Sequence, residues 1–287
     1  MKAKNKAILY VLVSALGFAF MNLFVKASGD LPFMQKCFFR NFVAAFFALG
    51  VMFKNKTSFI PPKASIKYLI LRSLFGALGM AANFYAIDRL VIADASMLNK
   101  LSPFFAIIFS FIMIKEKPKT YQLLCVVVAF LGALFILKPG IDGLMSYPAF
   151  IGLLGGAGAG FAYTNVRLAT ANGAPKSLVV FFFSIFTSIF CLPWMIAGFS
   201  SMSGQQLLFL MLAGCSATIG QFGITTAYAL APAKEISVYD YSMIVFAAIL
   251  GIIFLNEFPD YLSIIGYCVI IGAGVVMFIL NNKSQSN

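Results

Sequence analysis

Two polar stripes interrupt strongly apolar stretches of the sequence, and they hold the residues best suited to chemistry. In the first, the spacing i, i+3, i+4 and i+7 places four residues on one helical face: Ser96, Asn99, Lys100 and Pro103. The second stands 141 residues later, at Ser237, Asp240, Tyr241 and Ile244. Lys100 and Asp240 could bind a charged or zwitterionic solute, with Asp240 exchanging a coupling proton. Alternatively, they could pair with each other and only hold the chain together.

Other polar side chains in apolar stretches could line a solute cavity or join helices by hydrogen bonds. Arg40 could contact solute, or could extend toward water beside Asp30. Pro103 would interrupt the hydrogen bonds of its helix and free a backbone acceptor. The predicted substrate-binding residues are Lys100, Asp240, Asn99, Tyr241, Asn83, Asn22, Tyr163 and Gln221, with Asp240 also as the coupling residue.

The elements that position these residues must lie in lipid. The 287 residues are 61% hydrophobic and only 10% charged, whereas a soluble domain is about half apolar and about a quarter charged. A membrane-spanning helix needs roughly 20 apolar residues. Ten segments meet this need: 7–28, 32–53, 66–87, 92–114, 120–138, 148–170, 177–199, 205–228, 234–255 and 260–281. The sequence therefore predicts an all-α integral membrane protein with ten transmembrane helices.

Residue types argue against several other classes of protein. The chain has no histidine, which removes His-based zinc sites, Ser–His and Cys–His nucleophile pairs and haem ligation by His. Its five cysteines are far apart and form no Cys-x-x-Cys pair, so neither a disulfide framework nor a thiolate metal site is indicated. We predict no metal site, no cofactor, no catalytic residue and no enzymatic activity.

The formal net charge of +12 reflects topology rather than nucleic-acid binding. Lysines cluster in alternate loops, which the positive-inside rule places in the cytoplasm. The intervening loops hold most of the acidic residues, including Asp30, Asp88, Glu257 and Asp260. We expect a multi-pass protein of the cytoplasmic membrane, with both termini in the cytoplasm and the lipid bilayer as its surroundings.

The two halves of the chain repeat each other. Glu116-Lys117-Pro118, after the fourth span, returns as Glu257-Phe258-Pro259 after the ninth, and Tyr85-Ala86 returns as Tyr228-Ala229. Five spans in each half require the second copy to be inverted relative to the first. Inverted repeats are typical of secondary transporters, whose solute sites lie near the membrane midplane between the repeats. We predict two five-helix repeats, residues 1–140 and 141–287.

These features resemble the EamA-type transporters of the drug/metabolite transporter superfamily. The matching pieces are Arg40-Asn41-Phe42 after Pro32, Leu101-Ser102-Pro103-Phe104-Phe105 and Phe246-Ala247-Ala248-Ile249-Leu250-Gly251. The resemblance implies a cavity lined by the third, fourth, eighth and ninth spans, and export or exchange of metabolites such as amino acids, often driven by protons. Ile244 stands where many relatives have proline, and Lys100 facing Asp240 is not a superfamily-wide feature.

We therefore expect a secondary transporter that moves a small polar or charged metabolite by alternating access, with proton coupling as one option. The alternatives are an uncoupled facilitator or antiporter, and a lipid-handling membrane protein. A glycine ridge in the sixth span, Gly152, Gly156 and Gly160, could pack within the chain or form a homodimer contact.

Overall fold

The computed structural model describes residues 3–115, 118–137, 146–230 and 237–283. Ten spans form the bundle, and all of their described segments are helical. The first three are Ala3–Ala27, Phe33–Lys54 and Ile66–Arg89, the last led in by a short turn, Lys63–Ser65. The fourth consists of two helices, Ile92–Asn99 and Ser102–Ile114. The fifth to eighth are Thr120–Leu137, Tyr147–Ala171, Lys176–Ala197 and Gly204–Leu230. The ninth joins a 3₁₀ turn, Ser237–Tyr241, to a helix, Ser242–Leu255, and the tenth is Tyr261–Lys283.

The all-α membrane architecture predicted from the sequence is confirmed. Among the described residues, nine spans are long and apolar enough to cross a bilayer, and the ninth in order, Tyr239–Leu255, is apolar but shorter. The predicted segments agree with these spans to within four residues at each described end. Part of the predicted ninth segment, residues 234–236, lies outside the described residues, as do the repeat boundary at 140/141 and the dipeptide Glu116-Lys117.

The packing of the spans follows the symmetry of an inverted repeat. The first span packs on the eighth and the third on the sixth, while the second packs on the seventh and the fifth on the tenth. Replacing each span by its counterpart in the other half exchanges the first two contacts and leaves the last two unchanged. The first span also packs on the ninth, as the sixth packs on the fourth. The two halves therefore meet along a central seam.

Paired glycines make two of these contacts close. A Cβ on Gly17 would lie 2.9 Å from the backbone nitrogen of Gly220, where the first span meets the eighth. A Cβ on Gly158 would lie 3.0 Å from Cα of Gly79, where the sixth meets the third. Both glycines of one pair stand 141 residues from their counterparts in the other. The same small-residue contact, which lets helix backbones approach in lipid, thus occurs twice.

The glycine ridge of the sixth span packs against the interrupted fourth span. A Cβ on Gly156 would lie 2.5 Å from the carbonyl oxygen of Leu98, and one on Gly160 would lie 2.7 Å from that of Ser102. The ridge therefore receives the fourth span on both sides of its break. This contact within the chain agrees with the packing interpretation of the ridge.

The two ends of the bundle differ in charge, and each takes its name here from its residues. The acidic face is the end that holds Asp30, Asp88, Glu257 and Asp260. The lysine-rich face is the opposite end, with Lys54, Lys67, Lys119, Lys176 and Lys283. The helices of the fourth and ninth spans are followed by Lys115 and Asn256, which stand 141 residues apart. Both residues adopt a left-handed backbone conformation, with φ of 59° and 53°.

Candidate functional site

The site begins at the break in the fourth span and at the 3₁₀ turn that opens the described part of the ninth. The fourth span stops at Asn99 and restarts at Ser102, so that Lys100 caps the end of its first helix. Pro103 lies in the first turn of the second helix, where a missing N–H group costs little. This corrects the expectation that Pro103 itself interrupts a continuous helix. In the ninth span, Asp240 lies in the 3₁₀ turn just before the helix that begins at Ser242.

Lys100 and Asp240 form an ion pair across the seam between the two halves. Nζ of Lys100 lies 2.6 Å from Oδ2 of Asp240, and the two side chains are 10% and 20% exposed. Each charge also suits its helix end, because a helix C-terminus favours a cation and an N-terminus favours an anion. Oδ1 of Asp240 has no hydrogen-bond partner among the described residues. The pair therefore retains an acceptor.

A central cavity of about 100 Å³ lies beside this pair. Six of the eight predicted binding residues line it: Asn22, Asn83, Asn99, Lys100, Tyr163 and Gln221. Asp240 is not one of the described lining residues, but it pairs with Lys100, which is. Tyr241 is buried in an apolar cluster with Tyr267 and Ile270, against Gly274, and is not one of the described lining residues. The third, fourth, eighth and ninth spans all contribute to the lining, as the family resemblance implied, and so do the first, second, sixth and seventh.

The amides of the cavity are only partly hydrogen-bonded. Nδ2 of Asn22 donates to Oγ of Ser96 at 3.0 Å, which joins the first span to the first helix of the fourth. Oδ1 of Asn22 and Oδ1 of Asn83 are buried without a hydrogen-bond partner among the described residues. Buried polar atoms are rarely left unpaired. These two acceptors are therefore available to water or to a polar solute.

Two buried arginines complete the lining, and one of them was missed by the sequence analysis. Arg40 is only 3% exposed and donates from Nη1 to Oδ1 of Asn41 at 2.7 Å. The proposed extension of Arg40 toward water beside Asp30 is therefore wrong. Arg72 is 7% exposed, and its guanidinium lies 3.7 Å from the centre of the Phe183 ring. Arg72 lies only six residues inside the third span, and the sequence offered no indication that it turns inward rather than toward the lysine-rich face.

A second, wider cavity of about 300 Å³ lies between Tyr163 and the lysine-rich face. Its lining includes Ser110, Gln122, Thr164 and Arg167. Tyr163 lines both cavities and therefore stands between them. The side chain of Tyr163 thus separates the central cavity from the second cavity, which is here called the vestibule.

The acidic face is closed by polar contacts between the spans. Glu257 pairs with Lys26 and accepts a hydrogen bond from the backbone N–H of Ile92 at 3.0 Å, while Lys26 also donates to the carbonyl of Leu90. Lys36 pairs with Asp88 at 2.5 Å. These contacts are here called the acidic-face seal. They join the first and fourth spans to the loop after the ninth, and the second span to the third.

Comparison with known proteins places this architecture among transporters. Residues 5–138 and 146–280 each match the EamA-like transporter family. The pseudopaline exporter CntI of Pseudomonas aeruginosa is 33% identical over 277 residues, which cover 95% of this chain and 96% of that protein. Human solute carrier family 35 member G1 is 29% identical over 96% of this chain and 80% of its own length. A protein of known crystal structure shares the fold with a TM-score of 0.64 and 16% identity, over 98% of this chain and 99% of that one.

Proposed function

Because the chain belongs to the EamA-like transporter family and is a multi-pass transporter of a small solute, we propose that it is a secondary transporter of a small polar or charged metabolite. It resides in the cytoplasmic membrane, with both termini in the cytoplasm. The repeats 1–140 and 141–287 move against each other by alternating access. The observation that carries the proposal is the Lys100–Asp240 pair, which joins the break of the fourth span to the 3₁₀ turn of its inverted counterpart, the ninth, beside a polar cavity.

The arrangement of the two faces supports alternating access. The central cavity is separated from the lysine-rich vestibule by Tyr163, whereas the acidic-face seal joins several spans by ion pairs. In this conformation the barrier toward the lysine-rich face is thus the thinner one. Opening the acidic face requires Lys26 to leave Glu257, and rocking of one repeat against the other would separate them. The proposed set of solute-contacting residues is the six predicted lining residues together with Arg40 and Arg72.

Proton coupling through Asp240 belongs to the same proposal. Protonation of Asp240 removes its negative charge and releases Lys100, which can then bind an anionic group of the solute. An uncoupled facilitator, or an antiporter without proton coupling, would use the same cavity without this link between proton and solute. These alternatives differ in their response to a proton gradient rather than in structure.

The test is flux in proteoliposomes of the purified protein. A metabolite library is first screened for thermal stabilisation, and the hits are then measured for uptake with and without a pH gradient. We expect a gradient-dependent flux that the Asp240→Asn variant loses while it is still produced and folded. Asp30→Asn, at an exposed position of the acidic face, is the matched control and should transport normally.

The outcomes separate the alternatives. Flux that is saturable but indifferent to the gradient identifies a facilitator or antiporter. Full gradient-driven activity in Asp240→Asn removes the coupling role. Solutes that stabilise the protein but never cross the bilayer would contradict the transport proposal itself.

A further inference from the structure

We infer that the solute of the central cavity is a doubly anionic metabolite, whose carboxylate or phosphate oxygens are bound by Arg40 and Arg72. The inference rests on the proposed function only in taking this cavity as the solute site. It concerns the charge class of the solute, which the family does not assign, and residues that the sequence analysis did not place together.

Both arginines are buried, and no described side chain balances their charge. Within the described part of the chain, neither has a carboxylate within ion-pair distance, and Nε of each is buried without a hydrogen-bond partner. An unpaired cation in a low-dielectric interior is destabilising. A chain that keeps two of them in one cavity therefore implies an anion that enters from outside.

The surroundings hold each guanidinium in place while leaving donors free. Phe183 packs against Arg72, and Asn41 accepts from Nη1 of Arg40 while its own Nδ2 donates to the carbonyl of Cys37 at 2.8 Å. A guanidinium has five N–H donors in a rigid plane, which matches carboxylate and phosphate oxygens in a bidentate manner. Stacking on a ring face leaves the N–H edge of Arg72 available. These are features of a formed oxyanion site.

The charges that line the site indicate the net charge of the solute. Arg40, Arg72 and Lys100 are three cations of the lining, and Asp240 balances Lys100 alone. Among the described residues, the site therefore has two positive charges in excess, which a dianion neutralises. Both arginines and Lys100 belong to the first repeat, whereas the described lining residues of the second repeat, such as Tyr163, Phe183 and Gln221, are uncharged. The anionic groups should therefore lie against the first repeat, with uncharged parts of the solute toward the second.

The probes for this inference are small molecules of different charge, three of which share a four-carbon chain. Thermal unfolding of the purified full chain is measured with succinate, inorganic phosphate, the neutral diamide succinamide and the dication putrescine. We expect succinate or phosphate to raise the unfolding midpoint in a saturable manner, while succinamide and putrescine leave it unchanged. Stabilisation by succinate alone assigns a carboxylate solute, and stabilisation by phosphate alone assigns a phosphorylated one.

Variants test whether the two arginines bind the probe. Arg40→Gln and Arg72→Gln should each weaken the apparent affinity by roughly tenfold or more, the effect of losing a charge-assisted hydrogen bond. Arg89→Gln changes an exposed arginine of the same span as Arg72 and should leave the affinity unchanged. Without probe, both cavity variants should unfold at the wild-type temperature or above it, because each removes an unpaired buried charge. That measurement shows whether they fold.

Two results would overturn the inference: putrescine stabilising the protein better than either dianion, or unchanged dianion affinity in both cavity variants. Absence of stabilisation by both succinate and phosphate would count against it as well. Dianion binding without flux would contradict the transport proposal while leaving the inference intact. Flux of neutral or cationic metabolites alone would contradict the inference while leaving the transport proposal intact.

Discussion

At the scale of single residues, the Lys100–Asp240 pair has two separable roles. Removing one partner leaves the other charged and unpaired at a site where the two side chains are only 10% and 20% exposed. Removing both restores charge balance without restoring a site for a polar solute. Stability and transport should therefore respond differently to the single and the double change.

Lys100→Met alone should destabilise the protein by about 3 kcal/mol, because Asp240 loses its partner in the interior. Combining Lys100→Met with Asp240→Leu should recover most of the lost stability and still give no transport. Thermal unfolding and flux of the two single variants and the double variant check this. Transport by the double variant would reduce the pair to a structural link between the repeats.

The sequence sufficed to find most of the cavity residues, because polar groups are conspicuous in apolar spans. It identified Lys100 and four amides that line the cavity. It placed Tyr241 in the site, although the ring turns into the apolar cluster beside Gly274. It missed Arg72, because an arginine less than two turns from a span end can extend to water or turn inward. In the structure the guanidinium turns inward and stacks on the Phe183 ring.

At the scale of elements, the break in the fourth span depends on the sixth span as much as on its own sequence. Gly156 and Gly160 have no Cβ, so the backbone carbonyls of Leu98 and Ser102, which flank Lys100, can approach the sixth span closely. The sequence located the polar stripe and attributed the interruption to Pro103, whereas the first helix ends at Asn99 and Pro103 lies in the first turn of the next helix. The break is set by this interhelical contact, which no local pattern contains.

Gly156→Ala should therefore disturb the site without changing any polar residue. The new methyl group would lie 2.5 Å from the carbonyl oxygen of Leu98, and overpacking of this kind costs about 1–3 kcal/mol. Gly50→Ala is the matched control, because a Cβ at Gly50 meets nothing within 4 Å. We expect a lower unfolding temperature and reduced flux for Gly156→Ala alone. Equal behaviour of the two variants would show that the close approach is dispensable.

At the scale of the whole molecule, the acidic-face seal fixes which side of the cavity is closed. Glu257 contacts Lys26 and the backbone of Ile92, and so links the end of the ninth span to the first and fourth. Composition and repeat pattern predicted the ten spans and their inversion. They could not predict which face is closed, because the two conformations of the proposed alternating access would share one sequence.

Glu257→Gln should shift the protein toward the conformation that is open at the acidic face. In a background without native cysteines, a cysteine replacing Met80 of the central cavity should react faster with an impermeant thiol reagent added at that face. A shift of about 1.4 kcal/mol corresponds to a tenfold faster reaction. A cysteine replacing Ser110 of the vestibule should react more slowly from the opposite side.

The two reaction rates should change in opposite directions, becoming faster at position 80 and slower at position 110. Faster reaction at both positions would show that Glu257→Gln loosens the bundle generally, and would argue against two alternating conformations. Asp30→Asn, which alters charge at the same face outside the seal, should leave both rates unchanged.

The duplicated glycine contacts bear on the energy difference between the two conformations. The closure that Gly17 and Gly220 permit on one side of the seam has a counterpart of the same geometry in Gly79 and Gly158. These two contacts should therefore contribute similarly to both conformations of the proposed alternating access. A preference for one conformation would then come from positions at which the two repeats differ, so natural variation there could reset the favoured direction without changing the glycine contacts.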